Sequence, residues 1–247
     1  MIVPSCLRRL YYQVKYPADT KKYNTLLPYF NQLNGCEIGG PTTLFYPIYN
    51  NIKSCDCINY SSNTVWTGEL TTDYVIPNKI LGKQFIMDGT NLENISDNTY
   101  DFILSSNNLE HIANPLKAIL EWKRVLRGGG LLLILVPQKE FTFDHKREIT
   151  EFTHIIIDFE EDIKEDDLTH LDEILKNHDL NMDKTAGTYD EFKRRSLNNV
   201  ENRCLHHHVY SLDTLEQMLL HCDIAVITKF SVYKNHVILG RKLNNND

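Results

Sequence analysis

The sequence has no long hydrophobic run. The longest, Leu131 to Pro137, is a strand's length, far short of the ~20 apolar residues that a membrane-spanning helix needs. It also has no excess of positive charge. Its 26 Lys and Arg are outnumbered by 33 Asp and Glu, for a formal net charge of −7, so the broad basic face of a nucleic-acid binder is missing. The short basic run Lys193-Arg194-Arg195 reads as a solvated helix face. The opening MIVPSCLRRLYYQ carries no apolar stretch after its first charges and does not read as a secretory signal; the expectation is a cytoplasmic protein. No CxxC pair occurs among the six cysteines at 6, 36, 55, 57, 204 and 222. Cys55 and Cys57 supply too few ligands for structural zinc, so all six read as free thiols in a reducing compartment. No GxGxxG follows the first apolar strand, which weighs against a nicotinamide-dependent oxidoreductase. There is no internal repeat.

What the chain does have is alternation. Leu26, Leu27, Phe30 and Leu33 stand at helical spacing and predict an N-terminal helical segment within residues 1–34. A short apolar strand then ends in GCEIGGP. Further strands are expected at Asp56–Tyr60, Phe85–Met87, Tyr100–Leu104 and Leu131–Val136. A helix is expected from Pro115 to Val125, with Ile119, Trp122 and Val125 on one face, stopping at the glycine run 128–130. The fifth strand is apolar throughout, as a strand covered on both faces should be. Residues 138–205 change character, becoming polar and rich in His, Asp and Glu, and read as a helical insertion. Ser211 is placed to cap a helix bearing Leu215, Leu219 and Leu220. Ile224–Val232 and His236–Leu239 read as a hairpin about a Lys234-Asn235 turn, and residues 243–247 as a disordered tail. Strand, helix and strand in alternation predict one α/β domain over 1–247 with a mostly parallel sheet.

In such a sheet, ligands bind outside the carboxyl ends of the strands. The residues ending the first four strands are Glu37, Gly39 and Gly40; Asn59; Asp88 and Gly89; and Ser105 and Ser106. Glycines admit close backbone approach, Glu37 can order the loop, Asn59 can grip ribose hydroxyls, and Asp88 can accept from an adenine amino group. The set suits a nucleoside-bearing ligand, with Glu37, Gly39, Gly40, Asn59, Asp88, Gly89 and Ser106 as candidate cofactor-binding residues.

The order EIGG, Asp88-Gly89 before YDFIL, LEHI, and LRGGGLLLILVP resembles the class I S-adenosylmethionine-dependent methyltransferases, in a small-molecule branch with an LEH segment. The resemblance covers residues 34–137 and resumes at 206–240. It implies a Rossmann-like, seven-stranded, mostly parallel sheet with a terminal antiparallel hairpin, and S-adenosylmethionine as cofactor. The pattern departs from the family at Pro41 and Thr42, where a third glycine is usual, and at Asn59, where an acid is usual.

For the acceptor side, Phe143-Asp144-His145 follows the fifth strand closely, so His145 is expected as general base with Asp144 assisting. His154, the run Glu165-Asp166-Asp167, His170 and the triple His206-His207-His208 add further titratable groups. His111 of LEHI reads as a helix-start residue. Imidazoles and carboxylates at this density can hold a divalent metal, but the spacing matches no standard site and no ligand set is assigned. The insertion also looks similar to methyltransferases of surface-glycan gene clusters. That likeness implies a sugar or sugar-nucleotide hydroxyl as acceptor, with Arg194, Arg195 or Arg203 available to a diphosphate. The alternatives are N- or C-methylation of another small metabolite, or a catalytically inactive binding subunit. Neither a nucleic acid nor a membrane is expected as partner, and the oligomeric state is left open.

Overall fold

The computed structural model describes residues 14–64, 68–77 and 79–244. Eight strands make one sheet: β1 (Asn34–Ile38), β2 (Ser54–Asn59), β3 (Asp73–Ile76), β4 (Lys79–Ile86), β5 (Tyr100–Ser106), β6 (Leu126–Pro137), β7 (Ile224–Val232) and β8 (Asn235–Lys242). Their spatial order is β3-β4-β2-β1-β5-β6-β8-β7. Strands β4, β2, β1, β5 and β6 run parallel, while β3 pairs antiparallel with β4, and β8 with both β6 and β7. The expected count of seven is corrected to eight because Asp73–Ile76 adds an outer strand to the β4 edge.

The centre of the sheet follows from composition. Phe102, Ile103 and Leu104 of β5, and Leu132 to Ile134 of β6, are fully buried, because both faces are covered. One face packs Ile103 and Ile134 against Trp122 and Ile119 of α2 (Pro115–Val125), against α3 (Phe152–Glu160), and against Met218 of α6 (Leu212–His221). The other packs Phe102 and Leu133 against Phe30, Phe45 and Tyr49. Helix α2 has its expected limits, capped by the Asn114 side chain accepting from Lys117 N at 3.1 Å. Ser211 caps α6 as expected, accepting from Thr214 N at 3.0 Å.

Three local expectations are revised. The N-terminal helix α1 lies at Pro17–Asn24, and Leu27–Phe30 forms only a 3₁₀ turn, because Pro28 removes an amide and crowds the preceding turn. The glycine run 128–130 opens β6 rather than merely ending α2. The hairpin turn is Tyr233-Lys234, one residue earlier than expected, with both at positive φ (50° and 68°), as a tight two-residue hairpin turn requires.

The segment 138–205 is helical as expected, with α3, α4 (Leu171–Asn177), α5 (Tyr189–Leu197) and the single turn Asn199–Asn202. An irregular strap, residues 203–210, then returns across the carboxyl ends of the parallel strands. His207 N bonds Glu110 O at 2.8 Å, and Thr150 N bonds Val209 O at 2.9 Å. Residues 245–247 of the expected tail lie outside the described residues. Among the described residues, no helix is long and apolar enough to cross a membrane.

Candidate active site

A cleft of about 350 Å³ opens where β1, β2, β4 and β5 end, within the range of small-ligand pockets. Gly39, Asn59, Asp88, Gly89 and Ser106 all line it. Glu37 and Gly40, also expected there, lie beneath it.

Glu37 is fully buried. Its carboxylate accepts from Tyr49 Oη and Tyr74 Oη, both at 2.6 Å, and from Thr42 N at 3.1 Å. Burial pushes its pKa up to about 7, against the opposing pull of those donors. It ties the loop after β1 to the sheet edge, so its work is on the protein side of the loop. Gly40 serves the same knot: a Cβ there would sit 2.5 Å from Glu37 Cδ and 2.6 Å from Tyr74 Oη. Gly39 has φ +80°, a conformation that glycine adopts at little cost, and it faces the cleft.

Asn59 donates from Nδ2 to Gly40 O at 3.2 Å. That bond fixes the amide with Oδ1 as the remaining acceptor. Asp88 Oδ1 accepts from Thr90 N and Oγ1 at 2.9 and 2.7 Å, and Oδ2 from Arg203 Nη2 at 2.9 Å. Burial opposes its charge, but Thr90 and Arg203 outweigh it and hold the carboxyl below its ordinary value. A carboxylate offers about four acceptor positions, so one remains. Ser106 Oγ lies 3.4 Å from Asn107 Oδ1. An acceptor amide, an ionised carboxylate and a glycine turn around one cleft fit S-adenosylmethionine.

The sequence alone did not show what closes the cleft. Arg203, in the left-handed region at φ 52°, bridges Asp88 to Glu165 with Nη1–Oε1 at 2.9 Å. Its guanidinium lies 5.5 Å from the Tyr60 ring centre. The insertion is thereby latched to the tips of β2 and β4.

The opposite wall is the LEH turn, Leu109–His111. His111 lines the cleft, so its reading as a helix-start residue alone is revised. Its Nδ1 meets Leu205 O at 3.0 Å. A carbonyl only accepts, so that nitrogen carries the proton and Nε2 holds the lone pair. Burial and the neighbouring His206 hold its pKa well below the ordinary histidine value. The His206 ring stands edge-on at 4.5 Å between centroids. Behind it, Asp144 accepts from His206 Nδ1 and, at 3.2 Å, from Arg147 Nη1. Burial disfavours charge on both His206 and Asp144. Their mutual attraction wins, raising the imidazole and holding the carboxyl down at about 2. Glu110 completes the group. It is buried, its Oε2 has no hydrogen-bond partner, and burial raises its pKa to about 7. Ligating atoms of Glu110, His111 and His206 lie within 4.8 Å of one another.

The expected pair Asp144 and His145 is taken apart by the fold. Asp144 turns inward to His206. His145, with its side chain a third exposed, turns to Asp179 at 2.9 Å and does not line the cleft. The three consecutive histidines likewise diverge: His206 to Asp144, His207 to Asn199 and Glu165, and His208 to Asp158. The arginines are not gathered either. Arg195 pairs with Asp183 at 2.6 Å, and only Arg203 lines the cleft.

Comparison with known proteins bears on the fold. Residues 35–134 match the family described as Methyltransferase domain. No curated protein sequence matches the chain. Among solved structures, the fold is similar to that of a methyltransferase candidate from Haloferax volcanii solved with its Trm112 activator (TM-score 0.55, 11% identity, covering 96% of this chain and 94% of that one). It is similar to YcgJ from Bacillus subtilis (TM-score 0.55, 13% identity, 93% and 100%). It is also similar to a candidate S-adenosylmethionine-dependent methyltransferase from Listeria monocytogenes (TM-score 0.53, 16% identity, 92% and 98%). At these identities the likeness is one of fold. The likeness to a methyltransferase domain thus covers residues 35–134, and the fold as a whole is one that methyltransferases share.

Proposed function

We propose that this chain is an S-adenosylmethionine-dependent methyltransferase that acts on a hydroxyl of a small polar acceptor, a sugar or sugar nucleotide, with His111 as the proton acceptor. The observation that carries the reading is His111 on the cleft wall, its Nδ1 anchored on Leu205 O and its ring against the His206–Asp144 pair. S-adenosylmethionine, when bound, supplies an electrophilic methyl group on a sulfonium. Asn59 Oδ1 and the remaining position on Asp88 are the acceptors offered to its ribose and adenine, and Gly39 lets backbone approach. The protein's further task is to hold the acceptor in line, since alignment is worth an effective molarity of ~10⁵–10⁸ M. His111 takes the hydroxyl proton on Nε2, where its depressed pKa keeps it neutral. His206 and Asp144 are positioning residues: they fix the ring and set the charge beside it. The side-chain amides of Asn59, Asn107 and Asn108 in the lining can hydrogen-bond a hydroxylated acceptor.

The test is mass spectrometry of a sugar-nucleotide panel incubated with the enzyme and isotope-labelled S-adenosylmethionine. A product carrying one labelled methyl on oxygen is expected. His111→Ala should lower kcat by roughly 10²–10⁴, the range of general base catalysis, with cofactor affinity within a few fold of wild type. Transfer to an amine with no loss in His111→Ala would select N-methylation instead. A protein that binds S-adenosylhomocysteine but methylates nothing, while retaining a protein partner, would select the inactive binding subunit.

A further inference from the structure

A second group of histidines sits on the far side of the strap. His154 and Asp158 stand one turn apart on α3. His170 precedes α4, and His208 comes from the strap, 38 residues further along. Nε2 of His154 lies 2.8 Å from Nε2 of His170 and 3.3 Å from Oδ2 of Asp158, which is 2.8 Å from Nε2 of His208. All four atoms lie within 4.8 Å of one another. We propose that His154, Asp158, His170 and His208 form a binding site for a zinc-like divalent metal that ties the helical insertion to the strap.

The geometry favours a metal over a chain of hydrogen bonds. Three imidazoles present the same nitrogen to one point, and a carboxylate oxygen completes the group. Tetrahedral zinc with bonds of ~2.0–2.1 Å requires ligand atoms about 3.3 Å apart, and the separations of 2.8, 2.8 and 3.3 Å fall at or a little inside that value. Three nitrogens and one oxygen suit zinc, cobalt or nickel and do not suit calcium or magnesium. Metal binding needs neutral imidazoles. Access exists as well: His154 and His170 line an open pocket with Thr150, Glu151 and Glu173, while Asp158 and His208 are buried behind them. Ligands from three separate segments give such a metal an architectural role. His208 is two residues from His206 and five from Arg203, so a metal there steadies the stretch of chain that closes the cleft.

Cobalt provides the direct test. The full-length protein, stripped by a chelator, is titrated with Co²⁺ alone. The expected result is one equivalent bound, with the intense visible ligand-field absorption of four-coordinate cobalt, bleached by one equivalent of Zn²⁺. His170→Ala and His154→Ala, both at partly exposed positions, should each weaken binding by more than about 100-fold, the upper end for loss of a group that merely supports a ligand. Circular dichroism checks that they fold. His145→Ala, whose ring pairs elsewhere, should keep full stoichiometry. A weak six-coordinate spectrum, no saturable binding, or binding equal in wild type and both cluster variants would overturn the site. None of these readouts depends on methyl transfer.

Discussion

Glu37 shows how one residue's environment can reverse its ordinary contribution to stability. An acid whose folded-state pKa is raised from 4.5 to about 7 costs the fold when it is ionised. The cost is fully present above pH 7 and gone below about 4.5, and it amounts to roughly 3 kcal/mol at one pKa unit per 1.36 kcal/mol. Glu37→Gln keeps a side chain that Tyr49, Tyr74 and Thr42 can still bond, without the charge. Urea unfolding of wild type and variant between pH 5 and 8 should show the variant gaining on wild type as pH rises. A difference that stays constant across that range would reject the assignment. The same scale explains why the site was only partly legible in the sequence. Gly39, Asn59, Asp88, Gly89 and Ser106 each end a strand or follow one, and strand ends converge by topology alone. Glu110, His111 and His206 meet only because the strap folds back over the LEH turn, some 95 residues later, and no spacing encodes that. Adjacency misled at Asp144-His145, because neighbouring side chains there point to different partners.

At the scale of elements, periodicity was a good guide where burial was complete. Strands β5 and β6 and helix α2 stand close to where their apolar patterns put them. Strand β3 escaped notice because its apolar run, Tyr74-Val75-Ile76, is only three residues long and stops at Pro77, too short to mark a strand although Tyr74 and Ile76 are buried. Helix α2 also carries a device that its own sequence does not advertise. Asn114 caps it through Oδ1, while Nδ2 donates to Asp158 O at 3.0 Å, joining the helix start to α3. The side chain is almost fully buried. Asn114→Ala loses the cap and this second bond and should cost about 2 kcal/mol. Asn114→Ser, which keeps a capping oxygen, should cost about half as much. Thermal or urea unfolding measures both, and equal losses in the two variants would show that capping is not what Asn114 supplies.

At the scale of the whole molecule, the strap couples regions that are distant in the chain. Within eight residues it contributes Arg203 to the cleft mouth, His206 to the Asp144 pair, His207 to Glu165 and His208 to Asp158. A ligand in the cleft touches loops from four strands and the strap together, so binding must be felt along all of them. Hydrogen exchange followed by mass spectrometry, with and without S-adenosylhomocysteine, makes this measurable. Protection should rise at residues 39–44, 87–89, 106–112 and 203–208. It should be unchanged in the β7–β8 hairpin, which belongs to the far end of the sheet and lends nothing to the cleft lining. Local opening governs exchange in segments outside regular structure, and the strap, although Leu205 to Tyr210 are buried, has no helix or strand of its own to resist it. Protection confined to the strand-end loops, with residues 203–208 exchanging as fast as before, would mean that the strap does not close on the cofactor, and that Arg203 is a surface latch and not part of the site.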